Sequence, residues 1–590
     1  MSLSTLDWII IISFFIIFAS IGIAVSKKSG KNASEFFLSG RNMPWWLLGI
    51  SMVATTFSAD TPNLVTDIVR QNGISGNWVW WAFLLTGMLT VFVYAKLWRR
   101  SEVLTDLEFY EIRYSGKAAA FLRGFRALYL GVFFNVMIMA SVCLAAIKIG
   151  GILFGLAPWE CVLYASIITV IYSALGGLRG VIFTDFLQFI VAMIGSIAAA
   201  YYLVNLPEVG GLSNLLTHTN VSSKLNFLPD FNDSKSLITL LVIPLAVQWW
   251  SVWYPGAEPG GGGYIAQRML SAKDEKNAIG ATLLFNIAHY ALRPWPWILI
   301  ALISLVLFPE LTAIQKAFPN VDAGIIGHDL AYPAMLTKLP SGLLGLVAAS
   351  LIAAFMSTIS THLNWGSSYL AIDFYKRFIN PNSSEKQLVN IGRLSTIALM
   401  FFAALIALAL ESALSTFNIL LQIGAGTGLI FILRWFWWRI NAYSEITGMI
   451  VSFVIALWFE FAHAHVFGSR LEGYQELVIG VILTSISWIS VTLLTQPTKK
   501  ETLLQFYNKV KPFGAGWNGF KQKLEKDNIT LDTGTDKFTI DLASMLLGVL
   551  LVYCSLFATG YFIYGNLSGA LVLSTITIIA IVTLLRIRKK

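Results

Sequence analysis

Apolar runs of about 20 residues recur along the whole chain, each long enough to cross a hydrocarbon layer roughly 30 Å thick. Fifteen are legible, near 7–26, 45–71, 77–98, 124–152, 160–176, 185–206, 237–266, 279–308, 339–372, 392–411, 415–434, 441–465, 474–495, 541–564 and 568–586. Hydrocarbon offers backbone groups no water, so runs of this length must close their own hydrogen bonds as helices. Charged residues make up 12% of the chain, against roughly 25% in soluble domains. The first run is too long for a removable leader and is followed by Lys27, Lys28 and Lys31 instead of a small-residue cleavage site. The expectation is an all-α polytopic membrane protein with about 15 transmembrane helices.

Basic residues set the orientation. With the N-terminus outside, the inner segments are 27–44, 99–126, 267–278, 376–393, 434–440, 497–540 and 586–590, with a turn at Arg179. These, with Lys96, hold all of the 41 lysines and arginines except Arg70, Lys148, Lys224, Lys235, Arg293, Lys316, Lys338 and Arg470. The net charge of +9 is thus a topology signal, not a nucleic-acid footprint. The expected location is the plasma (inner) membrane, with the C-terminus cytoplasmic. Cys143, Cys161 and Cys554 lie in apolar runs and form no metal or disulfide pattern.

Two runs carry helix breakers at membrane depth. Ser58-Ala-Asp-Thr-Pro-Asn63 interrupts 45–71, and Tyr254-Pro-Gly-Ala-Glu-Pro-Gly-Gly-Gly-Gly263 interrupts 237–266. Irregular backbone is tolerated there only against protein or a water-filled cavity, and a pair of interrupted helices in corresponding halves points to a transporter binding site. A single long loop at 251–275 is the alternative, and the five-helix separation of the breaks argues against it. Within 339–372, Ser357, Thr358, Ser360 and Thr361 place four hydroxyls in one apolar helix. Such oxygens are hard ligands suited to a small dehydrated cation. Helix–helix hydrogen bonding is the plainer use of such residues.

Several passages together resemble the sodium:solute symporter family, whose members include sodium-driven sugar, proline and sialic acid transporters. They are Glu35-Phe-Phe-Leu-Ser-Gly-Arg41, Leu97-Trp-Arg-Arg100, Glu111-Ile-Arg-Tyr114, Tyr172-Ser-Ala-Leu-Gly-Gly-Leu178, Thr184-Asp-Phe-Leu-Gln188, Gln267-Arg-Met-Leu-Ser-Ala-Lys273, Asp373-Phe-Tyr-Lys376 and Trp438-Arg-Ile-Asn441. The resemblance spans Asp7 to about Gly448. It implies an inverted five-plus-five helix core of the leucine-transporter type at 45–440. An extra helix and inner loop precede it at 1–44, and about four extra helices follow at 441–590 with cytoplasmic loop 497–540. By resemblance, the family's shared sodium site falls on carbonyls of Ala54, Phe57 and Ala354 and hydroxyls of Ser357 and Thr358. A second sodium site falls on Ser58, Thr61, Asp185, Ser360 and Thr361, although Asp185 also reads as a helix N-terminal cap. Two ions moved through 100 mV supply about 4.6 kcal/mol. The solute site implied comprises Asp60, Asn63, Trp80, Asn135, Trp250, Tyr254, Glu258, Arg293 and Gln422. Arg293 reads equally as a partner of the solute or of Asp60 or Glu258.

The chain departs from its relatives at the cargo. The helix-2 glutamate of sugar transporters is replaced within Trp78-Val-Trp-Trp81, the second break is about four residues longer than usual, and no proline follows Gln422. Thr56 stands where proline transporters hold an aspartate. The expectation is a sodium-coupled symporter of a small polar organic solute, sugar-like by preference, with sodium as the required ion and the bilayer as its surroundings. Amino acid or organic-anion symport, proton coupling and a transporter-like solute sensor are the alternatives. No enzyme motif is present, and no obligate protein partner is evident. His289 and His362 read as hydrogen-bonded packing residues, and loop 497–540 as a linker in preference to an amphipathic segment along the inner leaflet.

Overall fold

The computed structural model describes residues 3–589 apart from 30–31, 252–258, 322, 411–423, 425, 530, 532–533 and 535. The principal helices are α1 Thr5–Ser29, α2 Trp45–Thr56, α3 Asp60–Asn72, α4 Ile74–Ser101, α5 Gly116–Phe154, α6 Pro158–Val204, α7 Ser234–Ala246, α8 Gly263–Ser271 and α9 Glu275–Leu307. They continue as α10 Leu343–Ile379, α11 Glu385–Ala407, α12 Ala442–Phe467, α13 Gly473–Leu494, α14 Lys500–Val510, α15 Asn518–Lys526, α16 Phe538–Ile563 and α17 Leu567–Lys589. Ten helices among the described residues are long and apolar enough to cross a membrane. The expected all-α class holds. Half of the expected run 415–434 lies outside the described residues, and runs 160–176 and 185–206 are two arms of α6, bent where Gly177 takes φ 54°.

The first break sits where its proline stands, and the described part of the second, from residue 259, where its glycines stand. Helix α2 stops at Thr56, Phe57 and Ser58 leave helical geometry, and α3 resumes at Asp60. Pro62 falls in the first turn of α3, where an absent N–H removes no intrahelical bond. In the second break α7 ends at Ala246 and α8 starts at Gly263. Gly260 and Gly261 take φ +87° and +85°, and a side chain on Gly260 would meet the Tyr94 ring at 3.1 Å. Glycine is therefore required twice there, for conformation and for close approach. The carbonyl of Gly260 accepts from the Trp98 indole at 2.8 Å. The Gly263 N–H, which opens α8, donates to Asp106 from the α4–α5 loop at 2.8 Å.

Loop 497–540 is not a plain linker. Helices α14 and α15 bury Leu503, Phe506, Tyr507, Val510, Trp517, Phe520 and Leu524 in the same core cluster as Phe109 and Trp435. The Trp517 indole donates to the Trp435 carbonyl at 2.9 Å. Gly516 lies so close to the chain that an added side chain would come within 2.1 Å of the Phe436 carbonyl. Asp536 then pairs with Lys96 and Arg100 at 2.9 and 2.6 Å. Burial opposes its charge, yet the two cations outweigh that and hold the Asp536 carboxyl below the usual carboxylate range.

Candidate ion and solute sites

The end of α2 faces the hydroxyl-bearing side of α10. The last carbonyls of a helix lack partners from its own backbone, and here side chains and the break supply them. Phe57 N–H donates to the Val53 and Ala54 carbonyls at 2.8 and 3.1 Å. Thr358 Oγ1, from α10, donates to the Thr55 carbonyl at 2.9 Å. Ala54, Phe57, Ala354, Ser357 and Thr358 are all buried. The carbonyl-rich break and Thr358 therefore meet, with no formal charge among those five residues.

Ser357 turns the other way and donates to Asp185 Oδ1. Asp185 lies eight residues past the Gly177 bend, inside α6, so the expected N-terminal cap is not what it forms. Its second oxygen accepts from Ser51 at 2.5 Å. Arg268 of α8 enters the same pocket. Its Nη2 lies 3.6 Å from Asp185 Oδ2, and both side chains have no exposed surface (0% each). Arg268 also donates to Ser51 at 3.1 Å, Thr55 at 3.0 Å and Thr361 at 2.9 Å. Of the second-site residues expected from sequence, Asp185 and Thr361 thus share one cluster. Ser360 bonds within its own helix to the Ser357 carbonyl at 3.0 Å. Thr61 donates to the Thr56 carbonyl at 3.3 Å, and Ser58 neighbours Asp60 at the break. Sequence reasoning missed Ser51, Thr55 and Arg268. The one available signal was an arginine directly after a glycine-rich helix break.

On the solute side, Arg293 is buried and donates to Thr56 Oγ1 at 3.2 Å. His289 lies 3.1 Å from Arg293 Nη2 through Nε2 and 3.0 Å from Thr56 through Nδ1. The guanidinium stacks over Trp297 at 5.5 Å and interacts electrostatically with Asp60. Among the described residues no carboxylate lies within ion-pair contact of it. Asn63, in the first turn of α3, is buried with neither amide atom hydrogen-bonded. Trp80 stacks on Tyr290 with ring centroids 5.8 Å apart and meets His289 edge-on at 5.7 Å. A cavity of about 40 Å³ continues between α4, α8 and α9, lined by Thr86, Thr90, Tyr264, Asn286 and Tyr290 among others. Two candidates are placed elsewhere. Asn135 pairs with His362 of α10 at 2.5 Å, and Trp250 packs with Leu477 and Val481. Tyr254, Glu258 and Gln422 lie outside the described residues.

Two interrupted helices framing buried oxygens and a buried cation define a secondary transporter. Residues 36–452 match the model of the sodium:solute symporter family, and the chain belongs to that family. It is 26% identical to the sodium/glucose cotransporter of Vibrio parahaemolyticus, over 78% of this chain and 86% of that protein. It is likewise 26% identical to the sodium/sialic acid symporter of Proteus mirabilis, over 82% and 94% of the two. A solved Na+-coupled sialic acid symporter in a substrate-bound, outward-open state superposes with a TM-score of 0.67 at 23% identity, covering 84% of this chain and 99% of that one. The core therefore has the leucine-transporter-like fold. The chain is a sodium-coupled symporter and not an enzyme.

Proposed function

We propose that this protein imports a neutral, hydroxyl-rich solute of sugar size with sodium, by alternating access around the two breaks. The observation that carries this is Asn63. Its amide is buried with donor and acceptor both unpaired, on the same first turn of α3 as Asp60, which interacts with Arg293. Unpaired buried polar groups cost about 1–3 kcal/mol each. A hydroxyl both donates and accepts, so a polyol can satisfy mixed groups that a carboxylate or an amine would meet with one like charge. The Trp80 ring adds a flat apolar wall. Relatives described as cotransporters of glucose, mannose and myo-inositol support the same class.

Sodium fills the shared site between the Ala54 and Phe57 carbonyls and α10, steadies the open outer state, and leaves inward past Asp185. A second ion uses Asp185 and Thr361, which would give two sodium ions per solute. The N-terminus is outside and the C-terminus cytoplasmic, on the distribution of basic residues. Proton coupling is less well supported, because His289 is engaged by Thr56 and Arg293.

Thermal unfolding of the purified protein with a solute panel, in sodium or in choline, tests the cargo. A solute at 100 times its Kd should stabilise by about 2.7 kcal/mol. A hexose or inositol should do so in sodium and weakly in choline. Stabilisation by amino acids or carboxylates alone would overturn the polyol reading.

A further inference from the structure

Asp185 is already paired with a cation that belongs to the protein. Arg268 Nη2 approaches the carboxylate at 3.6 Å, and the guanidinium takes hydrogen bonds to Ser51, Thr55 and Thr361. Thr55 and Thr361 themselves lie 3.2 Å apart. These hydroxyls, with Asp185, are the hard oxygens from which an alkali-ion site would be assembled. The Tyr264 carbonyl accepts from Arg268 Nη1 at 3.3 Å, within α8. A buried carboxylate left without a partner is strongly disfavoured. Two unit cations a few ångströms apart in a site without water repel too strongly to share it.

We propose that Arg268 is a tethered stand-in for sodium, and that guanidinium and ion alternate on Asp185 during the transport cycle. When sodium reaches Asp185, Arg268 gives up its bonds to Ser51 and Thr361. When the ion departs, the guanidinium returns, so the carrier resets without leaving a bare carboxylate in the membrane. Arg268 acts here as a positioning residue: it touches the ion's ligands and not the solute. The device lies on α8, directly after the glycine-rich break. The same turn that shapes the solute site therefore carries the competing charge. This inference rests on the reading of Asp185 as an ion ligand.

Net uptake requires the carrier to return without its ion, whereas exchange of labelled for unlabelled solute in high sodium does not. The test compares the two in proteoliposomes for Arg268→Gln, with a glucose, inositol and sialic acid panel to select the transported probe. The expected result is a net uptake reduced at least fivefold more than exchange, together with a sodium half-saturation at least tenfold lower. Arg268→Lys should recover part of the net uptake. Equal losses in the two modes, or an unchanged sodium half-saturation, would overturn the proposal. If the glutamine variant does not fold, the lysine variant carries the comparison, and a proportional loss of both modes again overturns it. Asp185→Asn separates the two readings. An unchanged sodium dependence in that variant removes Asp185 as an ion ligand. A weakened one beside an unaltered Arg268→Gln removes only the alternation.

Discussion

Thr358→Val removes one hydroxyl from the face of α10 that meets the broken end of α2. That hydroxyl donates to the Thr55 carbonyl at 2.9 Å. The bond is worth about 1 kcal/mol net, which should appear as a small drop in the unfolding midpoint in choline. On the proposed site the same oxygen would turn to sodium when the ion binds. An oxygen contact to a charged group is worth roughly 1.5–3 kcal/mol. On that placement, sodium binding in the unaltered protein would exchange one interaction for the other and keep a surplus of about 0.5–2 kcal/mol. Loss of the surplus should weaken sodium half-saturation about 2- to 30-fold. The assay is sodium-titrated solute uptake into proteoliposomes, read beside unfolding midpoints in sodium and choline. A variant with normal folding and an unchanged sodium half-saturation would refute the placement of the ion.

Arg293→Ala removes the guanidinium's bonds to His289 and Thr56 and should raise the solute KM by one to two decades, with a smaller effect on sodium half-saturation, read in the same uptake assay. Gly516→Ala forces a carbon within 2.1 Å of the Phe436 carbonyl, so helices α14 and α15 should undock at a cost of about 1–3 kcal/mol. Limited proteolysis within 497–540 would record the undocking, and unaltered protection would contradict it. Asp536 has a depressed carboxyl, so its stabilising pairing is complete above about pH 4 and is lost as pH falls through its folded value. Asp536→Asn should release the same segment at all pH values, and a pH-independent cleavage rate in the unaltered protein would count against the pairing.

The helical class, both breaks and the hydroxyl face of α10 are legible in the chain because each rests on a local rule. Apolar run length sets spans, proline and glycine set interruptions, and three- and four-residue spacing sets a face. Arg268 was hidden by a rule that works on averages. Counting basic residues assigns 267–278 to an inner loop, yet the arginine there is fully buried against Asp185. Ser51 and Thr55 look like ordinary small helix residues until α6 brings Asp185 to Ser51 across 134 positions and α8 brings Arg268 to both. Asp185 follows a turn in sequence, which suggests a cap, but the helix continues through the Gly177 bend and leaves it two turns inside. The segment 497–540 carries too little periodic pattern to reveal its docking, which depends on Trp517 finding Trp435. Asn135 is polar at a plausible depth, but His362 claims it.

The placement of sodium at the junction of α2 and α10 is tested most directly by density maps of the protein in lipid, recorded in sodium and in choline. The account predicts an ion feature bounded by the Ala54 and Phe57 carbonyls and the Ser357 and Thr358 hydroxyls, present in sodium and absent in choline. Sodium-driven uptake by a protein whose maps show an uninterrupted helix through Pro62, or those two surfaces apart in every state, would contradict it.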